Sequence, residues 1–426
     1  MLNIRVEPGQ NLDKGLSASS SALKALIGRA QEVGSSRIVA YPSSESLSAA
    51  ILLFSYMSRR GIPAYLSVAT RPPSVIDVPT ALFGFGSPGY TNESDKDQLV
   101  AFAASISEPP PLNATYISVD GSLGVALAMA LRAVNERPLE PDLKVFALAS
   151  SYGSRYVDKV GKVMGLDRIY VETLFDDEAV SLNMVTYVKS YRPHVLDLCS
   201  SLSITLDPFF PGLTGDRDAC ARQAASAGLG QLASKRASEI SDAEAATVAK
   251  AVIGMIKDRV RRQYEVSDYV GGVYVASDRL TIVDPREAKG LVEMAYDLGG
   301  LGLAAALISL FEDEYPQAVA SLPRLAVRLA ELVDESRVSE EGAFMGVRLY
   351  RVKSDFRPPL YLLWRALTLT GIIDRNSLLA HEDERGLRVS LLQASEVLGP
   401  SSLARLQAEE DVEVEGGFAW LRRKGA

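Results

Sequence analysis

Through the first 180 residues, short apolar runs alternate with stretches whose apolar positions recur three and four apart, and small polar turns separate them. Runs of the first kind read as buried strands, and stretches of the second kind as amphipathic helices. Residues 17–33, with Leu23, Leu26 and Ile27 on one face, form a helix; the mostly polar residues before it form a short strand and a loop. Strands are predicted at 37–41, 64–69, 80–85, 116–119, 145–149 and 168–171. Helices are predicted at 47–60, stopped by Gly61, at 93–106, capped by Thr91 or Asn92, and at 123–134. This alternation predicts an α/β fold with a largely parallel sheet covered on both faces.

The pattern then changes. Residues 196–264 are mainly helical, broken by the turn-rich DPFFPGLTGD of residues 207–216. Ser241 and Glu244 make a capping box. It opens a helix carrying Val248, Val252, Met255, Ile256 and Val260 on one stripe, and closing with Lys257, Arg259, Arg261 and Arg262. That cationic end complements the helix dipole, or contacts phosphates. A second α/β unit follows. It has strands at 272–276, 280–283, 347–352, 388–392, 412–414 and 419–421, helices at 287–298 and 360–369, and a break at Gly299-Gly300-Leu301-Gly302. The expected organisation is an α/β domain (1–190), a helical connector (191–265) and a smaller C-terminal α/β domain (266–426).

Composition narrows the chemistry. The 426 residues are 47% hydrophobic and 23% charged, an ordinary balance for a chain with a packed core. No uninterrupted apolar run approaches the length of a bilayer span, and the N-terminus lacks a secretory pattern, so a cytoplasmic protein without a membrane is expected. Two cysteines, Cys199 and Cys220, give no disulfide framework and fit a reducing compartment. The net charge of −8 disfavours a dedicated duplex-DNA binder. His194, before an apolar stretch, and His381, in a polar loop, are the two histidines. They cannot build a multi-histidine metal site, and two cysteines cannot supply a four-ligand zinc site. No cofactor is expected.

One stretch, VAYPSSESLSAAILL (39–53), is a strand, a polar turn and an apolar helix. Such a turn lies at the carboxyl end of the strand, where α/β sheets place their chemistry. Here it holds a single carboxylate, Glu45, among Ser43, Ser44 and Ser46. Gly84-Phe85-Gly86-Ser87-Pro88-Gly89 has glycine spacing like a dinucleotide loop, but Pro88 and Gly89 separate it from any helix start, so it reads as a plain loop. Gly161-Lys162 lacks the rest of a P-loop and falls in a helical segment. Asp120, at a strand end, is a helix cap or a catalytic carboxylate. Tyr264 and Tyr269, near Arg261 and Arg262, are core residues or a base-stacking platform. The residues alone stop at an α/β protein with no catalytic constellation.

As spaced blocks, the chain resembles the DHH phosphoesterase superfamily, in particular the archaeal RecJ-like single-strand exonucleases. Ser43-Ser44-Glu45-Ser46 stands where the family has D-x-D-G, and Phe85-Gly86-Ser87, followed by Pro88, stands at the D-H-H triplet. YISVDGSLGVALAMALRAV (116–134) is similar to the family's strand, Asp-Gly turn and helix. In VFALASSYGS (145–154), Ser154 replaces an aspartate. SLSITLDPFFPGLTGDRDA (201–219) is the strongest match, and DPREAKGLVEMAYDLGGLGLAAALI (284–308) resembles the entry to the DHH-associated domain. Phe418, in EGGF, holds the place of a terminal histidine.

The family's reaction uses two divalent metals held by clustered Asp and His. At the matched positions only Glu45 is a ligand type, with Asp77 a stray remnant, so the resemblance implies a retained fold and lost chemistry. It points to the inactive branch, which includes the eukaryotic replication factor Cdc-forty-five and a crenarchaeal RecJ-like homologue. It therefore implies a non-catalytic subunit of the archaeal replicative helicase, bound to GINS and MCM, with single-stranded DNA along the old substrate groove. Arg155, Arg217, Lys257, Arg261 and Arg262 are the candidate groove residues. The alternative is a divergent exonuclease or phosphodiesterase using Glu45, Asp77 and Asp120.

Overall fold

The computed structural model describes residues 2–9, 11–85, 99–103, 115–132, 134, 138–261, 265–406, 409 and 411–421. The N-terminal part runs β1 (Leu2–Val6), α1 (Leu12–Val33), β2 (Arg37–Ala40), α2 (Ser44–Ser58), β3 (Tyr65–Val68), β4 (Thr80–Phe83), β5 (Leu99–Ala103), β6 (Thr115–Val119) and α3 (Leu123–Arg132). The six strands pair in the order β1-β6-β5-β4-β2-β3, each neighbour parallel. β4 and β5 are buried at every position, which is why they read as continuous apolar runs without alternation.

Three predicted elements change type. Residues 145–149 belong to α4 (Pro141–Ala147) and the turn after it, not to a strand. α4 packs against α2, α3 and the long helix α9 (Pro285–Ser309), so it is buried all round and loses the helical period that would have betrayed it. Residues 168–171 lie in α5 (Gly165–Phe175). Within the predicted helix 93–106, residues 99–103 are the central strand β5; Thr91, Asn92 and residues 93–98 and 104–106 lie outside the described residues. Gly161-Lys162 sits in a turn beside the Val157–Val163 bridge, with Gly161 at φ 84°, rather than in a helix.

The connector has a core of its own. β7 (Asn183–Val188) pairs antiparallel with β8 (Val270–Val275), and between them lie α6 (Leu198–Ile204), α7 (Arg217–Ser226) and α8 (Asp242–Ile256). Leu202, Phe210, Val248, Val252 and Ile256 fill the space these elements enclose. Ser241 caps α8 through the expected box with Glu244. The cysteines depart from expectation: Cys199 on α6 and Cys220 on α7, 5.5 Å apart at Cα, form one disulfide.

After α9 come α10 (Phe311–Leu332), β9 (Val338–Phe344), β10 (Val347–Val352), α11 (Leu360–Thr370), β11 (Ser377–Asp383), β12 (Gly386–Ser390), α12 (Leu391–Leu406), β13 (Val412–Glu415) and β14 (Phe418–Leu421). Their sheet has the order β13-β14-β12-β11-β10-β9; β10 and β11 run parallel and the other pairs antiparallel. The predicted glycine break is a single non-helical residue, Gly300, inside α9. Residues 280–283 are not a strand: the Asp142 carboxylate binds the amides of Thr281 and Ile282 in place of a ladder partner. His381 lies within β11, 9% exposed, rather than in a loop. By length and composition α9 qualifies as a membrane span, but 61% of its apolar window is buried inside the protein, which marks it as a central core helix.

Candidate functional site

The turn after β2 forms as its sequence dictates. Ser43 is the N-cap of α2: its Oγ accepts from the Ser46 amide at 3.2 Å and donates to Ser46 Oγ at 2.8 Å. Gly84, at φ 84°, lies so close that a Cβ there would come within 1.9 Å of Ser46 Oγ. The side chains at the turn are directed inward, toward protein partners. Ser44 Oγ donates to Glu293 of α9. Glu45 Oε1 accepts from the Leu123 amide at 3.0 Å. Burial pushes the Glu45 carboxyl up to about 8, a rise to which nearby Asp167 adds and which the Leu123 amide and Arg155 oppose. At neutral pH this group is therefore mainly protonated and a poor ligand for a cation.

Asp120 does not cap α3. Its Oδ1 accepts from the Tyr156 hydroxyl at 3.1 Å, while the first amides of the α3 region bind side chains from distant segments. Asp167 takes the Ser122 amide at 2.7 Å, Glu45 takes Leu123, and Ser150 Oγ takes Gly124 at 3.0 Å. Burial raises Asp167 to about 6. The positive end of α3 is thus satisfied by this chain's own Asp167, Glu45 and Ser150 side chains.

The remaining matched positions are filled by packing. Phe85 is 5% exposed, edge-on to Tyr41 at 5.8 Å, in a cluster with Val39, Leu82, Leu99 and Tyr116. Gly86 and Ser87 lie outside the described residues. Ser154 ends the short turn 151–153, donating to the Ser151 carbonyl and accepting from the Tyr156 amide. Phe418 is buried against Tyr296 and Trp420, with the Arg388 and Arg357 guanidinia 4.7 and 5.0 Å from its ring centre. Asp77 pairs with Arg37 at the opposite, amino end of β2, so it does not join Glu45 and Asp120. A two-metal centre needs clustered carboxylate and imidazole donors. Serine, phenylalanine and one protonated glutamate do not fit it, and among the described residues no three His, Cys, Asp or Glu side chains group as metal ligands.

A buried ion chain adjoins this turn. Lys289 Nζ contacts Glu293 Oε1 at 2.8 Å and Asp207 Oδ2 at 3.3 Å, with side-chain exposures of 3%, 1% and 20% respectively. Arg365 of α11 reaches the same Asp207 oxygen at 3.1 Å. Ser44–Glu293–Lys289–Asp207–Arg365 therefore links α2, α9, the turn after α6 and α11. The signal was present in the sequence: DPREAKGLVEMAYD places charges at 286, 287, 289, 293 and 297 in a helix segment that is buried from Pro285 to Asp297.

Beside this chain opens a cleft of about 650 Å³, lined by Arg155, Lys189, Arg286, Lys289, Arg365 and Arg375 against Asp207, Asp268 and Glu396. Arg286 is 6% exposed; its Nη2 binds the Ser190 carbonyl and Asp284, while Nε and Nη1 have no protein partner. Of the five predicted groove residues, only Arg155 lines this cleft. Arg217 binds Asp197 and Ser200 on the connector, Lys257 is exposed after α8, Arg261 pairs with Glu335, and Arg262 lies outside the described residues. Tyr264 is likewise outside them, while Tyr269 is a core residue beside Phe210. Lys189, Arg365 and Arg375 carried no sequence signal, because chain folding alone brings them to the cleft beside Arg286.

No protein-family model matches the chain, and no curated protein sequence matches it. Solved structures do. CDC45 from Entamoeba histolytica superposes with a TM-score of 0.60 at 9% identity, over 99% of this chain and 96% of that one. RecJ from Thermus thermophilus, in complex with Mn2+, gives 0.39 at 12% identity over 96% and 52% of the two chains. A manganese-bound exonuclease RecJ gives 0.40 at 13% identity over 95% and 90%. The expected α/β architecture is thus that of a solved CDC45 over nearly the whole length of both chains.

Proposed function

We propose that this chain is a non-catalytic subunit of an archaeal replicative helicase assembly, binding GINS and through it MCM. Single-stranded DNA lies along the basic cleft. One combined observation carries the reading: a CDC45-like fold across 99% of the chain, with Ser44, the buried Glu45 and Phe85 held by protein contacts at the described positions that match the D-x-D-G and D-H-H motifs. The ion chain through Lys289 supports a scaffold role, since it fixes four segments of the chain by contacts that need no metal. The excess of cations along the cleft, Arg155, Lys189, Arg286, Lys289, Arg365 and Arg375 against Asp207, Asp268 and Glu396, supports an anionic guest.

The test is a pull-down of purified GINS by the full-length chain, with MCM added in a second step. Retention of GINS alone and of MCM only in its presence is the expected result. Failure to retain GINS at micromolar concentration overturns the proposal. Single-strand binding should weaken steeply with salt, as counterion release requires, and Arg375→Gln, at an exposed cation of the cleft, should reduce it.

A further inference from the structure

Between α7 and α8 lies a second groove, of about 740 Å³, remote from the turn and the basic cleft. Its floor follows one stripe of α8, through Thr247, Ala251, Gly254 and Met255. This stripe borders the core face: Ala251 and Met255 pack against the core that Val248, Val252 and Ile256 fill, while Thr247 and Gly254 are exposed. From Thr247 to Asp258 it runs about 16 Å, or three turns of helix.

Gly254 is the informative residue. A glycine inside a helix is destabilising relative to alanine, and a Cβ added there would meet nothing within 4 Å. No contact inside this chain requires the missing side chain, and the bare backbone leaves the groove floor open at this point. The walls are cationic: Arg222, Lys250 and Arg259 face Asp258, and no ion pair joins any of the three to another described residue. The chain as a whole carries −8, so this is a local reversal of its charge. No aromatic ring lines the groove, and stacking platforms are what single-strand surfaces use.

We infer that the α7–α8 groove is a docking site for an acidic amphipathic helix of a protein partner, seated over Gly254 with its carboxylates on Arg222, Lys250 and Arg259. This rests on the reading of the chain as an assembly subunit. Helix-in-groove recognition uses anchors three and four residues apart against such a floor, with charges at the rim.

The experiment measures GINS and MCM binding to the full-length chain for wild type, G254A, G254L and the double variant R222E/K250E. All the substituted positions are exposed, and thermal melts confirm that each variant folds. The expected result is near-unchanged affinity for G254A and at least a tenfold loss for G254L and for R222E/K250E, with single-strand binding unaltered. Partner binding unaffected by both disruptive variants overturns the docking site and leaves the assembly reading standing. Loss of oligonucleotide binding in R222E/K250E without loss of protein binding makes the groove a nucleic-acid surface and also overturns it. Wild-type protein that binds neither GINS nor MCM overturns the assembly reading, and this inference with it.

Discussion

Replacing Lys289 with methionine removes the ammonium at the centre of the buried ion chain while keeping the length of the side chain. Asp207 retains Arg365 at 3.1 Å, so the loss falls on Glu293, which is 1% exposed and keeps only the Ser44 hydroxyl. An unpaired buried carboxylate avoids its charge by taking a proton. With an ordinary glutamate near 4.3 in the unfolded chain, holding that proton at pH 7 costs about 4 kcal/mol, at 1.36 kcal/mol per pH unit. The cost of breaking a buried pair by removing one partner falls in the same range, about 3–5 kcal/mol. The sign follows from linkage: the folded variant binds a proton that the unfolded chain releases above pH 4.3, so its deficit shrinks as pH falls, to about 1 kcal/mol at pH 5. Urea unfolding followed by tryptophan fluorescence reports the effect, since Trp364 on α11 is buried beside Arg365. Lys289→Met/Glu293→Met, which removes both charges, should recover to within about 2 kcal/mol of wild type. Equal destabilisation at pH 5 and pH 7 would refute the electrostatic reasoning and indicate a packing defect; so would a double variant no more stable than the single one.

Other expectations follow from the same structure. Because burial holds Glu45 protonated up to about 8, its contribution to stability declines as pH climbs from the unfolded value of 4.5 through that point. Glu45→Gln keeps an oxygen for the Leu123 amide, so at pH 8 it should be more stable than wild type by about 2 kcal/mol, solvent screening at this partly exposed turn included; denaturation curves at pH 5 and pH 8 check it. Phe85→Ala empties the space beside Tyr41 and should cost about 3–5 kcal/mol, read as a lowered urea midpoint. Reducing Cys199–Cys220, which closes a loop across 21 positions, should cost the connector about 3 kcal/mol, seen as a lower melting temperature with dithiothreitol that Cys199→Ala/Cys220→Ala reproduces.

Much of the architecture could be read from the chain because local signals agreed with the tertiary ones. The buried strands β2, β4 and β6, the capping box at Ser241 and the small-residue helix after Ser43 all formed where their patterns placed them. Errors arose where burial on every side erased periodicity. The run VFALA is equally apolar as strand or helix, and only its packing between α2, α3 and α9 decides. The strand β5 fails differently, since LVAFA is too short to outweigh the helical pattern around it. At the site, the scarcity of metal-ligand side chains at Ser43, Glu45, Phe85 and Ser154 was legible residue by residue. What replaced them was not: the partnering of Ser44 with Glu293 spans 249 positions, and the capping of α3 by Glu45 and Asp167 spans 78 and 45. Of the two readings of Asp120, the cap is replaced by a bond to the Tyr156 hydroxyl, because Asp167 and Glu45 from distant segments bind the first amides of α3.

The central claim is that the fold persists without the phosphoesterase reaction. The most direct measurement is incubation of the pure chain with 5′-labelled single-stranded oligonucleotides and manganese, resolved at single-nucleotide length. Full-length oligonucleotide is expected at every time point, for wild type and Glu45→Ala alike. Manganese-dependent shortening by wild type that Glu45→Ala abolishes would contradict it.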